Sequence, residues 1–287
     1  MTTWFYKCAE QCPELFDSAE EFLSEYEKKY CALMERVLQK DSSVYVILKK
    51  DGPLGLPQVA GVFSFNRGRS FTSCIPDYNS KIKKLLREFF RTHEVFSIIG
   101  ESEGVKKIEQ ILYEYKNLLP AEIREMFLME YNGSVPAAVE LKEQDEKIKR
   151  CSGEDAEKLM PLQVNFSCEE VYPFWKKEVN LAAERFALDS TLKKQIVFAV
   201  DKNNCLVSRA QTNARTKNYF QIGGVYTLKE YRGRGYACQL VKMIADTAAS
   251  ENKKTVLYVR KENAGALRSY TKAGFNQTAE YRMVYYR

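Results

Sequence analysis

The sequence predicts a mixed α/β protein built from two successive αβ stretches. Two observations carry this. β-rich runs alternate along the chain with segments whose apolar residues recur at helical spacing. The alternation is interrupted once, at residues 132–146, where Asn-Gly, Ser and Pro are followed by mixed charges, the best candidate for a boundary. The length of 287 residues suits about two domains at roughly 150 residues each.

In the first stretch, residues 18–40 read as one helix. Phe22, Tyr26, Tyr30 and Leu33 share a face, with Ser18 as N-cap and Glu21 completing a capping box. Residues 44–48 are a β-rich run that ends at the turn signal Lys49-Lys50-Asp51-Gly52-Pro53. A second strand covers residues 59–65, and Asn66-Arg67-Gly68-Arg69 follows as its hairpin turn. Residues 79–92 are helical, with Ile82, Leu85, Leu86, Phe89 and Phe90 on one face. A short strand at 95–99 runs into Gly100-Glu101-Ser102-Glu103-Gly104 and a helix near 104–117, and residues 124–131 are a further strand.

In the second stretch, residues 147–151 form a short strand and Ser152-Gly153-Glu154-Asp155 opens helices that fill 154–187. Strands follow at 195–200 and 205–212 around the turn Asp201-Lys202-Asn203-Asn204, and another at 221–228. Residues 235–250 are a helix with Leu240, Val241, Ile244, Ala245 and Ala248 on one face. The run Thr255-Val256-Leu257-Tyr258-Val259 lacks polar alternation, so it is expected to be buried on both faces. A short helix at 264–272 and a long strand at 276–286 complete the chain.

Composition narrows the chemistry. No run approaches the ~18 apolar residues of a membrane helix, and the first residues lack the layout of a signal peptide. The cytoplasm is therefore the expected compartment, with no membrane partner. The eight cysteines are scattered and form no Cys-x-x-Cys pair, which suits reduced thiols rather than a disulfide framework. One histidine, His93, excludes a His-rich metal site. It lies beside a predicted helix end, where capping explains it better than catalysis. No metal is expected. Residues 1–144 carry a net charge of −3 and residues 145–287 one of +9. The second half should attract an anion, unless the charge is only a solvated surface. No run of basic residues interleaves with aromatics, so no nucleic acid is expected.

The segment Gly223-Gly224-Val225-Tyr226-Thr227-Leu228-Lys229-Glu230-Tyr231-Arg232-Gly233-Arg234-Gly235-Tyr236-Ala237 carries the chemistry. A strand enters a glycine-containing loop and an amphipathic helix leaves it. Free N–H groups at a helix start bind anions, and Gly233 and Gly235 let the backbone come close to a ligand. Arg232 and Arg234 add positive charge, so a diphosphate would suit this site. No Gly-Lys-Ser/Thr follows, so it is no Walker loop. Cys238 stands where a dinucleotide fingerprint would have its third glycine.

A second segment follows the buried strand: Asn263-Ala264-Gly265-Ala266-Leu267-Arg268-Ser269-Tyr270-Thr271-Lys272-Ala273-Gly274-Phe275. With it, residues 145–287 resemble the GNAT superfamily of acyl-CoA-dependent N-acyltransferases. Arg232, Gly235 and Ala237 fit that family's cofactor loop, Gln/Arg-x-x-Gly-x-Gly/Ala. Asn263, Ala266, Tyr270, Gly274 and Phe275 fit its later motif, Asn-x-x-Ala-x-x-x-Tyr-x-x-x-Gly-Phe. The intervening stretch holds one helix and one strand, as the family requires. Finer details look like the branch with glycine N-acyltransferases and bacterial two-domain acetyltransferases.

The resemblance implies a GNAT-type mixed sheet with flanking helices in residues 145–287. The smaller αβ partner domain, residues 1–140, reads as a degenerate GNAT-like copy or as an unrelated αβ unit. In the first of these readings, Ser97-Ile98-Ile99-Gly100 is its core strand, with Glu101 and Glu103 where phosphates would bind. The implied cofactor is acetyl-CoA or another acyl-CoA. Val225, Tyr226 and Thr227 would offer backbone groups to its pantetheine arm, while Gly233, Arg234, Gly235, Tyr236 and Ala237 would bind its diphosphate together with Arg232. Tyr270 would be the acid that protonates the departing thiolate. A core tyrosine is its plainer reading. Asn263 would bond the cofactor or cap the helix that carries Tyr270. Arg268 and Lys272 would reach the phosphates or be solvated charges. Trp4 and Trp175 read as core or interface.

The implied reaction is direct attack by a primary amine of a small molecule or peptide. Strand 221–228 holds no carboxylate to act as base, unlike many family members, and Glu230, Glu262, a water chain or the substrate's own equilibrium remain open. Two rival readings stand beside the enzyme: a non-catalytic acyl-CoA sensor or interaction module, and a nucleic-acid-binding protein. A homodimer is left open.

Overall fold

The computed structural model describes residues 2–133 and 146–287, and most of the boundary segment anticipated at 132–146 lies outside them. Two compact units are present, Met1–Met126 with Ala279–Arg287, and Phe127–Thr278. They do not coincide with the segments 1–140 and 145–287. Two long strands, β6 (Glu122–Tyr131) and β12 (Phe275–Tyr285), each supply residues to both units.

The first unit runs β1 (Thr2–Cys8), α1 (Glu14–Ser24), α2 (Cys31–Leu38), β2 (Val44–Asp51), β3 (Gln58–Phe65), β4 (Ser70–Cys74), α3 (Ser80–Thr92), β5 (Ser97–Glu101), α4 (Ser102–Lys116) and the start of β6. Its strand order is β1-β2-β3-β4-β5, then residues 279–285 of β12, then residues 122–126 of β6. The neighbours β1 to β4 pair antiparallel, and β4 pairs with β5 in parallel. Helices α1 and α2 pack on one face through Phe16, Leu23, Leu33, Met34 and Val37. Helices α3 and α4 pack on the other through Ile82, Leu86, Phe89, Ile108 and Leu112.

The second unit repeats this order. It runs β7 (Glu146–Arg150), α5 (Ala156–Phe166), α6 (Leu181–Lys194), β8 (Val197–Lys202), β9 (Cys205–Arg215), β10 (Tyr219–Thr227), α7 (Tyr236–Ser250), β11 (Lys254–Arg260), α8 (Ala264–Ala273) and the start of β12. Strands β7 to β10 pair antiparallel and β10 pairs with β11 in parallel. Helices α5 and α6 cover one face and α7 and α8 the other. Each helix buries one apolar stripe against the sheet, so each unit has three layers, helices on both faces of a central sheet.

The repeated order favours the degenerate-copy reading of the first half and corrects its register. In the second unit the glycine loop joins β10 to α7. Its counterpart joins β4 to α3, at Ile75-Pro76-Asp77-Tyr78-Asn79. The Gly100–Glu103 turn joins β5 to α4 and is the counterpart of Arg260–Asn263. Three further expectations need correction. The helix 18–40 is two helices, and Ser18 lies inside α1, where its hydroxyl donates to the Glu14 carbonyl at 3.5 Å. Pro13, whose missing N–H costs a helix start nothing, marks the beginning instead. The break at 25–30 contains no Gly or Pro and so gives no local signal. Strands β1 and β4 are not among the expected elements, although Thr2-Thr3-Trp4-Phe5-Tyr6 is β-rich.

Candidate active site

The second unit is opened by its own strands. Strand β10 pairs with β11 from Tyr219↔Lys254 to Ile222↔Leu257 and no further. On its other edge β10 continues beside β9, with Tyr226 opposite Arg209 and Thr227 opposite Ser208 after a bulge between Gly223 and Tyr226. Gly224 makes the bulge with a left-handed φ of 57°. A Cβ on Gly223 would lie 1.9 Å from the Asn213 side chain, so a larger residue would displace it. Val225 and Thr227 therefore lie on a stretch of β10 whose β11 side is unpaired. A parted pair of strands leaves backbone N–H and C=O groups available to an extended amide-bearing ligand.

The glycine loop follows a short 3-10 turn, Lys229–Tyr231. Gly233 and Gly235 both adopt left-handed backbone, with φ of 82° and 89°. Most residues resist that conformation and glycine does not. A Cβ on Gly233 would meet nothing within 4 Å. Gly235 is the N-cap of α7 and offers no side chain to its N–H groups. These N–H groups, at the positive end of a 15-residue helix, are left for an anion. Loop and helix start fit a diphosphate.

The remaining predicted residues divide by what they touch. Tyr236 is buried, and its phenol bonds the Glu146 carboxylate, so only its backbone belongs to the loop. Arg234 is exposed and its guanidinium lies over the Tyr231 ring, 5.2 Å from the centroid. Arg232 turns back on its own strand. Its Nε donates to the Thr227 carbonyl at 3.0 Å and its Nη2 to Glu169 at 2.9 Å. The Asn263 side chain accepts from the Ala266 N–H at 3.0 Å, which makes it the N-cap of α8. Tyr270 is 7% exposed and packs with Phe275 in the core between α7, α8 and the sheet. Burial pushes its phenol well above the usual value, and the charge of Glu170 adds to the effect. Arg268, Lys272, Glu230 and Glu262 are exposed. His93 is the C-cap of α3, stacked on Phe89 with ring centres 4.0 Å apart. Trp4 packs against a core and Trp175 against Phe174.

The site also contains side chains that carry no motif. Helix α5 runs on into one π-helical segment, Ser167–Val171, a wide turn often found at functional positions. It presents two adjacent carboxylates. Glu169 accepts from the Tyr226 phenol at 2.8 Å and from Arg232, and lies 3.2 Å from Lys229. Burial raises its carboxyl, but the bonds from Arg232, Tyr226 and Lys229 outweigh that and hold it below the ordinary range. The Tyr226 phenol is pushed up to about 12 by burial and by this bond. Glu170 lies 2.7 Å from Arg260, the last residue of β11. Arg260 also donates to the Glu169 carbonyl at 3.3 Å. The π-segment is thus tied to the ends of both parted strands. Beneath it, buried Glu184 accepts from Ser167, Tyr172 and Gln163, which together overcome desolvation and keep its carboxyl low.

Residues 164–275 match the family model described as the acetyltransferase (GNAT) family. In that stretch the chain is similar to the GNAT acetyltransferases. Acyl transfer is that family's general chemistry. Solved structures of similar fold span the whole chain. A Drosophila protein covers 98% of each chain at 13% identity with a TM-score of 0.67. A tandem GNAT protein from the clavulanic acid biosynthesis pathway covers 99% of this chain and 98% of its own at 9% identity, TM-score 0.62. A GNAT-family acetyltransferase from Colwellia psychrerythraea covers 100% of both at 10% identity, TM-score 0.59. At such identities the likeness is one of fold, here a two-domain GNAT arrangement. No curated protein matches the sequence. Among the described residues, no helix is long and apolar enough to cross a membrane.

Proposed function

We propose that the protein is an N-acyltransferase that moves an acetyl or other acyl group from acyl-CoA to a primary amine of a small molecule or peptide. The observation that carries this is the uncapped start of α7, beside strands that part after Ile222 and Leu257. In this reading the N–H groups from Gly233 to Ala237 hold the diphosphate. Val225 and Thr227 offer backbone groups to the pantetheine arm, and a free N–H of β10 polarises the thioester carbonyl as negative charge develops on its oxygen. Asn263 serves by fixing the start of α8, and thereby Tyr270. Tyr270 gives its proton to the leaving thiolate. Burial keeps the phenol protonated until the thiolate develops beside it.

The absence of a carboxylate on β10 favours a second reading, an acyl-CoA sensor without turnover. One pair of measurements separates the two. Calorimetry with acetyl-CoA reads binding, and thiol release in a screen of amino acids, arylalkylamines, polyamines and peptides reads transfer. An enzyme binds and releases thiol, and Tyr270→Phe lowers turnover about 100-fold with affinity nearly unchanged. A sensor binds and releases none. Equal turnover of the two proteins would remove Tyr270 from the mechanism.

A further inference from the structure

We propose, resting on the acyl-transfer reading above, that the acceptor is a polyhydroxylated amine of the amino-sugar class, held in a polar pocket between the end of α6 and β9. The pocket has a volume of about 150 Å3. Helix α6 lines it with Ser190, Thr191 and Lys194 from its last turn, and β9 lines it with Gln211 and Asn213. An apolar cavity of about 150 Å3 takes one benzene ring, so there is room here for a single six-membered ring. None of the lining side chains is aliphatic, aromatic or acidic.

Two glycines bring this pocket to the reaction. Gln211 pairs with Gly223 of β10. A Cβ on Gly223 would lie 1.9 Å from the Asn213 side chain, and one on Gly224 would lie 2.6 Å from that of Gln211. The two amide side chains therefore lie across the bulge, in space that β10 side chains would otherwise fill. In the sheet β10 stands between β9 and β11. Only that strand, one spacing of about 4.8 Å, separates the pocket floor from the edge that parts from β11.

The floor asks for hydrogen-bond donors. Gln211 donates its amide N–H to Asn213 at 3.2 Å, while its Oε1 is buried without a partner among the described residues. Phe220 and Ile222 face the α7 core, so Gln221 between them faces the α6 side. Its Oε1 is also buried and unpartnered. A buried oxygen left in that state is costly, and a ligand that donates to it relieves the cost. A hydroxyl donates once and accepts twice, so one polyhydroxylated ring can serve the glutamine oxygens, the hydroxyls of Ser190 and Thr191 and the Lys194 ammonium together. Other amines lack a counterpart. A polyamine finds no carboxylate and meets Lys194. An arylalkylamine finds no apolar wall. A carboxylate meets the carbonyl end of α6.

The step remains direct transfer. R–NH3+ gives one proton to solvent, the lone pair of R–NH2 forms the C–N bond at the thioester carbon, and the C–S bond breaks. Sulfur takes the Tyr270 proton, and the second proton lost by nitrogen restores Tyr270.

The test measures thiol release from acetyl-CoA with five amines: glucosamine, cyclohexylamine (a six-membered ring without hydroxyls), spermidine, phenethylamine and glycine. kcat/KM for glucosamine should exceed each of the others about 100-fold or more. Gln211→Met, close in shape but without the amide, should lower the glucosamine-to-cyclohexylamine ratio about tenfold, with acetyl-CoA affinity by calorimetry unchanged. A merely structural loss would lower both amines equally. Ser190→Leu, at a half-buried helix position, should fill the pocket and lower the same ratio, which guards against a folding defect in the first variant. A preference for any of the other four amines, or a ratio unchanged in both variants, would overturn the assignment and leave acyl transfer standing. If no amine releases thiol, acyl transfer itself falls, and calorimetry with glucosamine then decides the pocket. Binding that Gln211→Met weakens supports it, and no binding by the wild-type chain overturns it.

Discussion

The turn from β4 into α3 and the turn from β10 into α7 hold the same place in two copies of one topology, yet their helix starts are in opposite states. At the first, Asn79 Oδ1 accepts from the N–H groups of Lys81 and Ile82 at 2.9 and 3.1 Å. The helix is capped by its own chain, in a turn that also carries Asp77. At the second, two left-handed glycines lead in and no side chain caps the helix. A helix start becomes an anion site only when the chain leaves its N–H groups unsatisfied. The neighbouring ion pairs are reversed as well: Lys29 with Glu101 at the end of β5, but Glu170 with Arg260 at the end of β11.

The comparison breaks most visibly at Gly235. Gly235→Glu places a carboxylate where the diphosphate is expected and forces a side chain into left-handed backbone. Acetyl-CoA affinity measured by calorimetry should fall at least 100-fold, about 2.7 kcal/mol; retained binding would detach the loop from the cofactor. The first turn should respond differently. Asn79→Ala should cost about 1 kcal/mol of stability in denaturant unfolding through the lost cap, with acetyl-CoA affinity unchanged. A matching loss of affinity would mean that the first turn also serves the ligand. The smallest effect belongs to Glu169→Gln, which frees Arg232 from a partly exposed ion pair. Acetyl-CoA should bind up to about fivefold more tightly, since such pairs hold about 0.2–1 kcal/mol. Weaker binding would show that Glu169 supports the loop.

These contrasts mark what the sequence discloses. The glycine loop and the segment 263–275 were legible because each concentrates its meaning in a dozen neighbouring residues. The cap made by Asn263 and the apolar stripe of α7 follow from local rules for the same reason. Glu169 and Glu170 were not legible. Their partners Arg232 and Arg260 lie 63 and 90 positions away along the chain, and a π-segment has no sequence signature. The repeat was hidden similarly. Pairing, not residue identity, is what the two units share, and without β1 and β4 the sequence pattern places the degenerate cradle one strand too late, at Gly100.

The last residues of the chain have a consequence for its biosynthesis. Residues 281–285 pair with β5 between Glu101 and Ser97, Val284 and Tyr286 are wholly buried, and Arg282 bonds Glu109 and Glu125. They lie between β5 and β6 in the sheet of the first unit. As a nascent chain emerges, the unit begun first is therefore the one finished last. It waits through translation of the whole second unit with a slot open between two strands, a template to which another strand could add. Removing residues 279–287 should unfold the first unit, although the whole second unit lies between them and the rest of it in sequence.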